Sequence, residues 1–395
     1  MKAIILVIDS FGIGYLPDAE RYGDVGSNTA LHICENIPGD KWPVLQSYGL
    51  GNAARLLGFD LPGCDAVENP KAMYGVMAEK SPGKDTTTGH WEIAGIELEK
   101  PFTTFPPEYP SFPEELVKRF EEKTGSKVIG NKAASGTVII EELVEEHLSS
   151  GSPICYTSSD SVFQIAAHEK VIPLDELYRM CEIAREICDD FQVGRVIARP
   201  FVGEPGSLKR TTGRKDFSMP LPGPSIMDHL RKAGIVTAGV GKIGDIFAEQ
   251  GIDESYHDKG NPACIQRTLD LVAQSRKEDM LIFVNLVDTD MIYGHRRDVR
   301  GYFEAVSAVD KALLDLERLM KAGDLCIITA DHGCDPTFRG TDHTREYVPL
   351  LAYPKGSRSS SVGIRGAFSD IAASLADYFG VQPYPRGLSF LKGGD

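Results

Sequence analysis

Four short apolar runs set the pattern of the chain: Ala3 to Ile8 (AIILVI), Ile235 to Val240, Met280 to Val287 (MLIFVNLV) and Leu325 to Thr329. Each is continuous rather than alternating and rich in β-branched residues, as expected of a parallel strand buried on both faces. Between them the spacing turns helical. Leu174, Leu177, Cys181, Ala184, Ile187, Cys188 and Phe191, after Pro173, form one apolar stripe. Phe303, Val306, Val309, Leu313, Leu316 and Met320, within Gly301 to Lys321, form another. Both stripes read as core, without chemistry. Further helices are expected near Glu114 to Lys123, Thr137 to Leu148, Ser225 to Ala233 and Ala367 to Phe379, with strands near Ile154 to Thr157 and Leu350 to Tyr353. Tyr15 to Pro70, rich in Gly, Pro and Asn, reads as loops and short helices over the sheet. This alternation of strands and helices predicts an α/β fold with a doubly wound core sheet.

Two proline-rich stretches, Phe102 to Pro113 and Met219 to Pro224 (MPLPGP), mark crossings between domains. The block between them, residues 102–217, reads as a smaller α/β domain inserted as a substrate-binding cap into a core made of residues 1–101 and 218–395. A chain of 395 residues is long for one hydrophobic core and comfortable for two. The only biased tract is the loop Ser357 to Ser361.

Composition narrows the chemistry. With 42% hydrophobic and 25% charged residues the chain is of soluble globular type. A formal net charge of −15 argues against nucleic acid and anionic membrane as partners, so an anionic substrate needs a local basic pocket or metal ions. Eight scattered cysteines with no CxxC pair suggest reduced thiols. The first apolar run is too short for a signal peptide, and no run reaches membrane-spanning length, so the expected location is the cytoplasm. With no exposed heptad or long edge strand evident, the expected state is a monomer.

The apolar runs end in acids. Asp9 follows the first, within Asp9-Ser10-Phe11-Gly12-Ile13-Gly14; Asp288, Asp290 and His295 follow Met280 to Val287; Asp331, His332, Asp335, Asp342 and His343 follow Leu325 to Thr329. Open α/β sheets bind ligands at strand C-termini. A lone Asp-His pair is ordinary turn chemistry, but three strand ends of this kind in one chain are not. Carboxylates with imidazoles and no thiolate suit Zn²⁺ or Mn²⁺. Asp9, Asp290, His295, Asp331, His332 and His343, with Asp288, Asp335 and Asp342 as alternates, divide into two sites of three ligands, leaving positions for substrate oxygens and a hydroxyl nucleophile.

A source of that hydroxyl is Ser81 to Glu92 (SPGKDTTTGHWE), where three threonines lie beside Lys84 and His90, just before the helix-compatible Trp91 to Ala94. A hydroxyl at a helix N-terminus beside a metal is suited to attack on phosphorus. Spacing does not choose among Thr86, Thr87 and Thr88. From Arg195 to Lys215 the charge turns basic: Arg195, Arg199, Lys209, Arg210, Arg214 and Lys215 face only Glu204 as an acid, a candidate sugar-phosphate clamp. Lys242, in Gly241-Lys242-Ile243-Gly244-Asp245, follows another strand end.

Asp9, the hydroxyl loop, Asp290 to His295, Asp331-His332-Gly333 and His343 resemble the metal-binding pattern of the alkaline phosphatase superfamily. More narrowly, KDTTTGHWE, TSSDSVFQIAAHE, GRVIARPFVGEP, GKIGDI, GHRRD and GTDHTREYVPLL, running in matching order to about residue 353, resemble the phosphopentomutase family. The resemblance implies an isomerase that interconverts ribose 1-phosphate and ribose 5-phosphate, and their 2-deoxy forms, through a phosphothreonine. It implies two Mn²⁺, with other divalent ions able to substitute, and a sugar bisphosphate such as glucose 1,6-bisphosphate as activator. It also implies the nucleophile, Thr86, and two ligand sets: Asp9, Asp331 and His332 with Thr86, and Asp290, His295 and His343. In the cap, it implies Asp160 at the sugar hydroxyls and Arg195 at the substrate, with Arg214 and Lys242 on the distal phosphate. The neighbouring reading is a phosphohydrolase or another phosphomutase on the same core. A phosphoglycerate mutase of that core is expected to use serine, and a sulfatase a modified Cys or Ser, where this loop carries threonines. A mutase further needs a closed site, because water competes with the sugar hydroxyl for the phosphoryl group.

Overall fold

In the computed structural model, residues 1–39, 41–158, 160–354 and 360–391 are described; residues 357–359 of the serine-rich loop lie outside them. Contacts divide the chain into two units, Met1–Lys100 with Leu221–Asp395, and Pro101–Pro220.

The first unit is built on an eight-stranded sheet in the order Glu254–Tyr256, Val236–Val240, Met280–Leu286, Lys2–Ile8, Leu325–Thr329, Val348–Pro354, Met73–Met77 and Ser361–Arg365. Lys2–Ile8 is parallel to both its neighbours and buried throughout. This is why its sequence shows no alternation. The register decides the site: Val7 lies opposite Asn285 on one side and Thr329 on the other. Asp9 and Asp331, each two residues beyond that level, therefore emerge side by side. Only Val348–Pro354 runs antiparallel to its neighbours, and it brings the chain back past the strand ends after His343. The expected helix in Gly301 to Lys321 spans Val299–Leu319, with Val306, Val309, Leu313 and Leu316 buried.

The Pro101–Pro220 unit holds a six-stranded sheet, Ile129–Ala133, Ile154–Thr157, Val162–His168 and Arg195–Val202, with Lys209–Arg210 and Lys215–Ser218 both pairing Arg195–Val202. Of these strands the sequence pattern showed one. Val162–His168 is buried on both faces, with Phe163, Ile165 and Ala167 in one apolar cluster and Ala166 in another, so it carries no alternation. Helix Leu174–Asp190 puts Leu177, Cys181, Ala184, Ile187 and Cys188 into the first cluster, as its stripe predicts. Helix Gly136–Ser150 covers the opposite face through Ile139, Ile140 and Val144. All eight cysteines are buried free thiols. Among the described residues no helix is long and apolar enough to cross a membrane.

Candidate metal centre and nucleophile

At the C-terminal ends of Lys2–Ile8, Met280–Leu286 and Leu325–Thr329 the acids and imidazoles gather. His332 Nε2 lies 3.6 Å from Asp9 Oδ1 and 3.4 Å from Asp331 Oδ2. Asp290 sits in a π-helical turn, Thr289–Gly294, a distortion common at functional sites. Its two oxygens stand 3.3 Å from His295 Nε2 and from His343 Nε2, and the two imidazole nitrogens are 3.2 Å apart. The groups Asp9, Asp331, His332 and Asp290, His332, His343 each have ligand atoms close enough to hold one ion. All five of these residues are at least nine-tenths buried. His332 Nδ1–H donates to Gly333 O at 3.0 Å and His295 Nδ1–H to Thr341 O at 2.6 Å, leaving both Nε2 lone pairs facing the cluster.

The donor set fits divalent cations. Asp9 Oδ1, Asp290 Oδ1 and Asp331 Oδ2 are buried and lack hydrogen-bond partners. Burial, then Asp331 and Asp290, pushes the Asp9 carboxyl well above its usual range. Burial would also raise Asp290 and Asp331, but the neighbouring imidazoles outweigh it and hold both below that range. Burial disfavours the charged form of His343, yet Asp290 prevails and raises it to about 10. Three buried carboxylates so crowded need cationic partners, and bound cations supply them better than protons.

The alternates fare differently. Asp335 is engaged by His32, Asn28 N and Thr337 N, and Asp342 by Lys84 and His343 N. Asp288 accepts from Asn261 N at 2.8 Å. One donor escaped the sequence reading, which took the set as free of sulfur: Cys334 Sγ lies in reach of a common ion with Asp290 and His295. Burial, then Asp290, keeps it a thiol by raising its pKa.

The helix after the hydroxyl loop begins five residues earlier than the apolar pattern suggested, and spans Thr86–Ile93. The threonines are therefore its first turn. Asp85 is the N-cap and accepts from Thr88 N at 3.1 Å and Thr88 Oγ1 at 2.5 Å, so the Thr88 hydroxyl is committed. Thr86 Oγ1 instead lies 3.2 Å from His332 Nε2. Gly89 permits that approach, since a Cβ there would collide with Asp331 O. Ser10 fastens the strand ends together in a left-handed conformation, φ 66°: its N–H donates to Asp331 Oδ1 and its carbonyl accepts from Cys334 N.

Three supporting residues went unassigned in the sequence. Asn285 Nδ2 donates to Asp9 Oδ2 at 2.7 Å and to His90 Nε2 at 3.2 Å, while His90 Nδ1–H donates to Thr86 O at 2.9 Å. An asparagine inside MLIFVNLV was the available signal. Arg345, only 2% exposed, donates to Glu79 Oε2 at 2.6 Å, Ser81 O at 2.8 Å and Gly83 O at 2.6 Å, and pairs with Asp18 at 3.1 Å. It holds the segment that leads to Thr86. Arg345→Met strands the Glu79 carboxylate and is expected to cost about 3–5 kcal/mol. Thermal unfolding reads this directly, and an unchanged midpoint would show that Arg345 does not brace the loop.

In the Pro101–Pro220 unit, Arg195 lies 3.5 Å from Asp160 and 3.6 Å from Asp216, and Arg214 grips Asp216 with two bonds of 2.8 and 2.9 Å. Asp216 stands one residue beyond the basic stretch as read from sequence. Burial would raise its pKa, but Arg214, Arg195 and Arg199 prevail and lower it. Lys242, in the other unit, caps a short helix, and its charge favours the ionised form of Asp9.

Similarity to known proteins agrees with this geometry. A profile of the metalloenzyme superfamily matches residues 1–383. A phosphopentomutase of Caldanaerobacter subterraneus subsp. tengcongensis is 53% identical over 395 residues, covering 99% of this chain and 97% of that protein. The chain belongs to the phosphopentomutase family. A second phosphopentomutase, from Dictyoglomus turgidum, is 52% identical over 393 residues, covering 99% of this chain and 97% of that protein. The phosphopentomutase-family chain is thus an isomerase, an intramolecular phosphotransferase. A phosphoglycerate mutase of Leishmania mexicana, crystallised at low cobalt concentration, shares the fold at 11% identity and a TM-score of 0.50, covering 98% of this chain and 97% of that one.

Proposed function

We propose that this chain interconverts ribose 1-phosphate and ribose 5-phosphate, and the 2-deoxyribose phosphates, through a phosphothreonine at Thr86. Thr86 carries the reading: of the hydroxyls in its loop, it is the one that lies 3.2 Å from His332 Nε2, while that of Thr88 is tied to Asp85. Asp9, Asp331 and His332 would hold one Mn²⁺, and Asp290, His295 and His343 the other; other divalent ions suit the same donors. When bound, such ions lower the pKa of a nearby hydroxyl and neutralise charge on phosphoryl oxygens.

Thr86, at the first position of its helix, meets an incoming phosphoryl group with backbone N–H groups at its back. A sugar bisphosphate such as glucose 1,6-bisphosphate primes it. The phosphothreonine passes its phosphoryl group to the free hydroxyl of a pentose monophosphate, and the resulting bisphosphate returns its other phosphoryl group to Thr86. Asp160 and Arg195 would contact the sugar; Arg214 and Lys242 would hold the phosphate that is not being transferred. The Pro101–Pro220 unit serves in this scheme as the substrate-binding cap that excludes water. The enzyme acts as a cytoplasmic monomer on small pentose phosphates, with no nucleic acid or membrane partner.

Ribose 5-phosphate and Mn²⁺, with and without a trace of glucose 1,6-bisphosphate, test this in one tube. The expected product is ribose 1-phosphate, stimulated by the bisphosphate, with little free phosphate. Dominant free phosphate would make the protein a phosphohydrolase.

A further inference from the structure

Cys334 sits among the ligand residues but belongs to neither of the two ligand sets. The chain pins it there from both sides. Gly333 and Thr344 exchange two backbone hydrogen bonds, of 3.0 and 2.7 Å, and the Cys334 N–H donates to Ser10 O at 3.1 Å and to Thr29 Oγ1 at 3.2 Å. The side chain is buried, 1% exposed. Gly294 makes room for it: this residue ends the π-helical turn that carries Asp290, and a Cβ there would lie 2.8 Å from Cys334 Sγ. The thiol reaches Asp342 O at 3.7 Å, a weak bond.

Two harder donors stand beside this sulfur. Asp290 Oδ2 lies 3.3 Å from His295 Nε2, and among the described residues Asp290 Oδ1 has no hydrogen-bond partner. One ligand atom each of Asp290, His295 and Cys334 lie within 4.8 Å of one another. His295 Nδ1–H donates to Thr341 O, which leaves Nε2 for an ion. Oxygen, nitrogen and sulfur together make a softer set than carboxylates and imidazoles alone. Zn²⁺ and its heavier congener Cd²⁺ bind sulfur readily, whereas Mn²⁺ prefers carboxylate, carbonyl and water oxygens.

We propose that Asp290, His295 and Cys334 form a sulfur-containing coordination mode of this centre, one that takes thiophilic divalent cations such as Zn²⁺ or Cd²⁺ and that Mn²⁺ leaves unused. The metal–sulfur bond forms as the S–H bond breaks, and the proton passes to solvent. Cys334 is then the residue that tells a soft ion from a hard one. An ion held in this way has one more position filled by protein and one fewer for a substrate oxygen. The assignment rests on the reading of Asp290 and His295 as metal ligands.

Cd²⁺ titrated into the metal-free, full-length protein tests it, with absorbance and calorimetry read on wild type, Cys334→Ser and Asp290→Asn, and with Mn²⁺ titrated in parallel. Stoichiometric Cd²⁺ should raise a sulfur-to-cadmium charge-transfer band in the ultraviolet in wild type and none in Cys334→Ser. Cd²⁺ affinity should fall about tenfold or more in Cys334→Ser, at least the loss that an outer-shell change causes, while Mn²⁺ affinity stays within about twofold. A wild type without the band overturns the proposal, whether or not the serine variant folds. So does a folded Cys334→Ser that keeps the band and the Cd²⁺ affinity. Asp290→Asn should weaken both ions. If it weakens Mn²⁺ but wild type shows no sulfur band, the metal reading stands and Cys334 is no ligand; if it binds both ions as wild type does, the metal reading itself fails.

Discussion

Replacing Thr86 with alanine is expected to lower phosphoryl transfer by about four orders of magnitude or more, while Mn²⁺ and ribose 5-phosphate still bind. The expectation follows from where the Thr86 and Thr88 hydroxyls sit. Thr88 Oγ1 is held by Asp85 at 2.5 Å and is fully buried, so it cannot take over. Thr86 Oγ1 lies on the His332 side, and its carbonyl is fixed by His90. Alanine keeps the helix and removes only the hydroxyl and a methyl group. Binding and turnover should therefore separate: calorimetry with Mn²⁺ and substrate should be near wild type, and product formation should vanish. If Thr86→Ala turns over at a wild-type rate, the nucleophile lies elsewhere.

Divalent ions should be needed for stability as well as for turnover. Asp9, Asp290 and Asp331 each present a buried oxygen without a hydrogen-bond partner, within a cluster relieved by imidazolium and, at Asp9, by the charge of Lys242. Chelation is expected to abolish turnover and to lower the unfolding midpoint. Restoring Mn²⁺ at about one hundred times its Kd should stabilise the native state by about 2.7 kcal/mol, which for a chain of this length raises the midpoint by about 3 °C. Asp290→Asn should lose most of this stabilisation. A midpoint indifferent to Mn²⁺ in the wild type would mean that the cluster holds no ion.

The strand-end acids were legible because short, β-branched apolar runs bounded by turn residues fit buried parallel strands, and the residues directly after such a run emerge where ligands bind. The register then brings Asp9 and Asp331 to the same level. Other features had no comparable signal. Val162–His168, buried on both faces, showed neither alternation nor helical spacing. The choice among three threonines depends on a contact across the fold, made possible by Gly89 against Asp331 O. Arg345 and Asn285 act through partners far away in the chain, so only the oddity of a charged or amide side chain beside apolar runs marked them. Asp216 fell one residue outside the stretch counted as basic, yet two arginines of that stretch close upon it.

In the proposed reaction Thr86 carries the phosphoryl group. The most direct measurement is to load the Mn²⁺-bound protein with ³²P from labelled glucose 1,6-bisphosphate, locate the label by peptide mapping, and chase with unlabelled ribose 5-phosphate. The label should sit on Thr86 and pass into the pentose phosphates during the chase. Label absent from Thr86, or retained there while ribose 1-phosphate accumulates, would contradict the phosphothreonine mechanism.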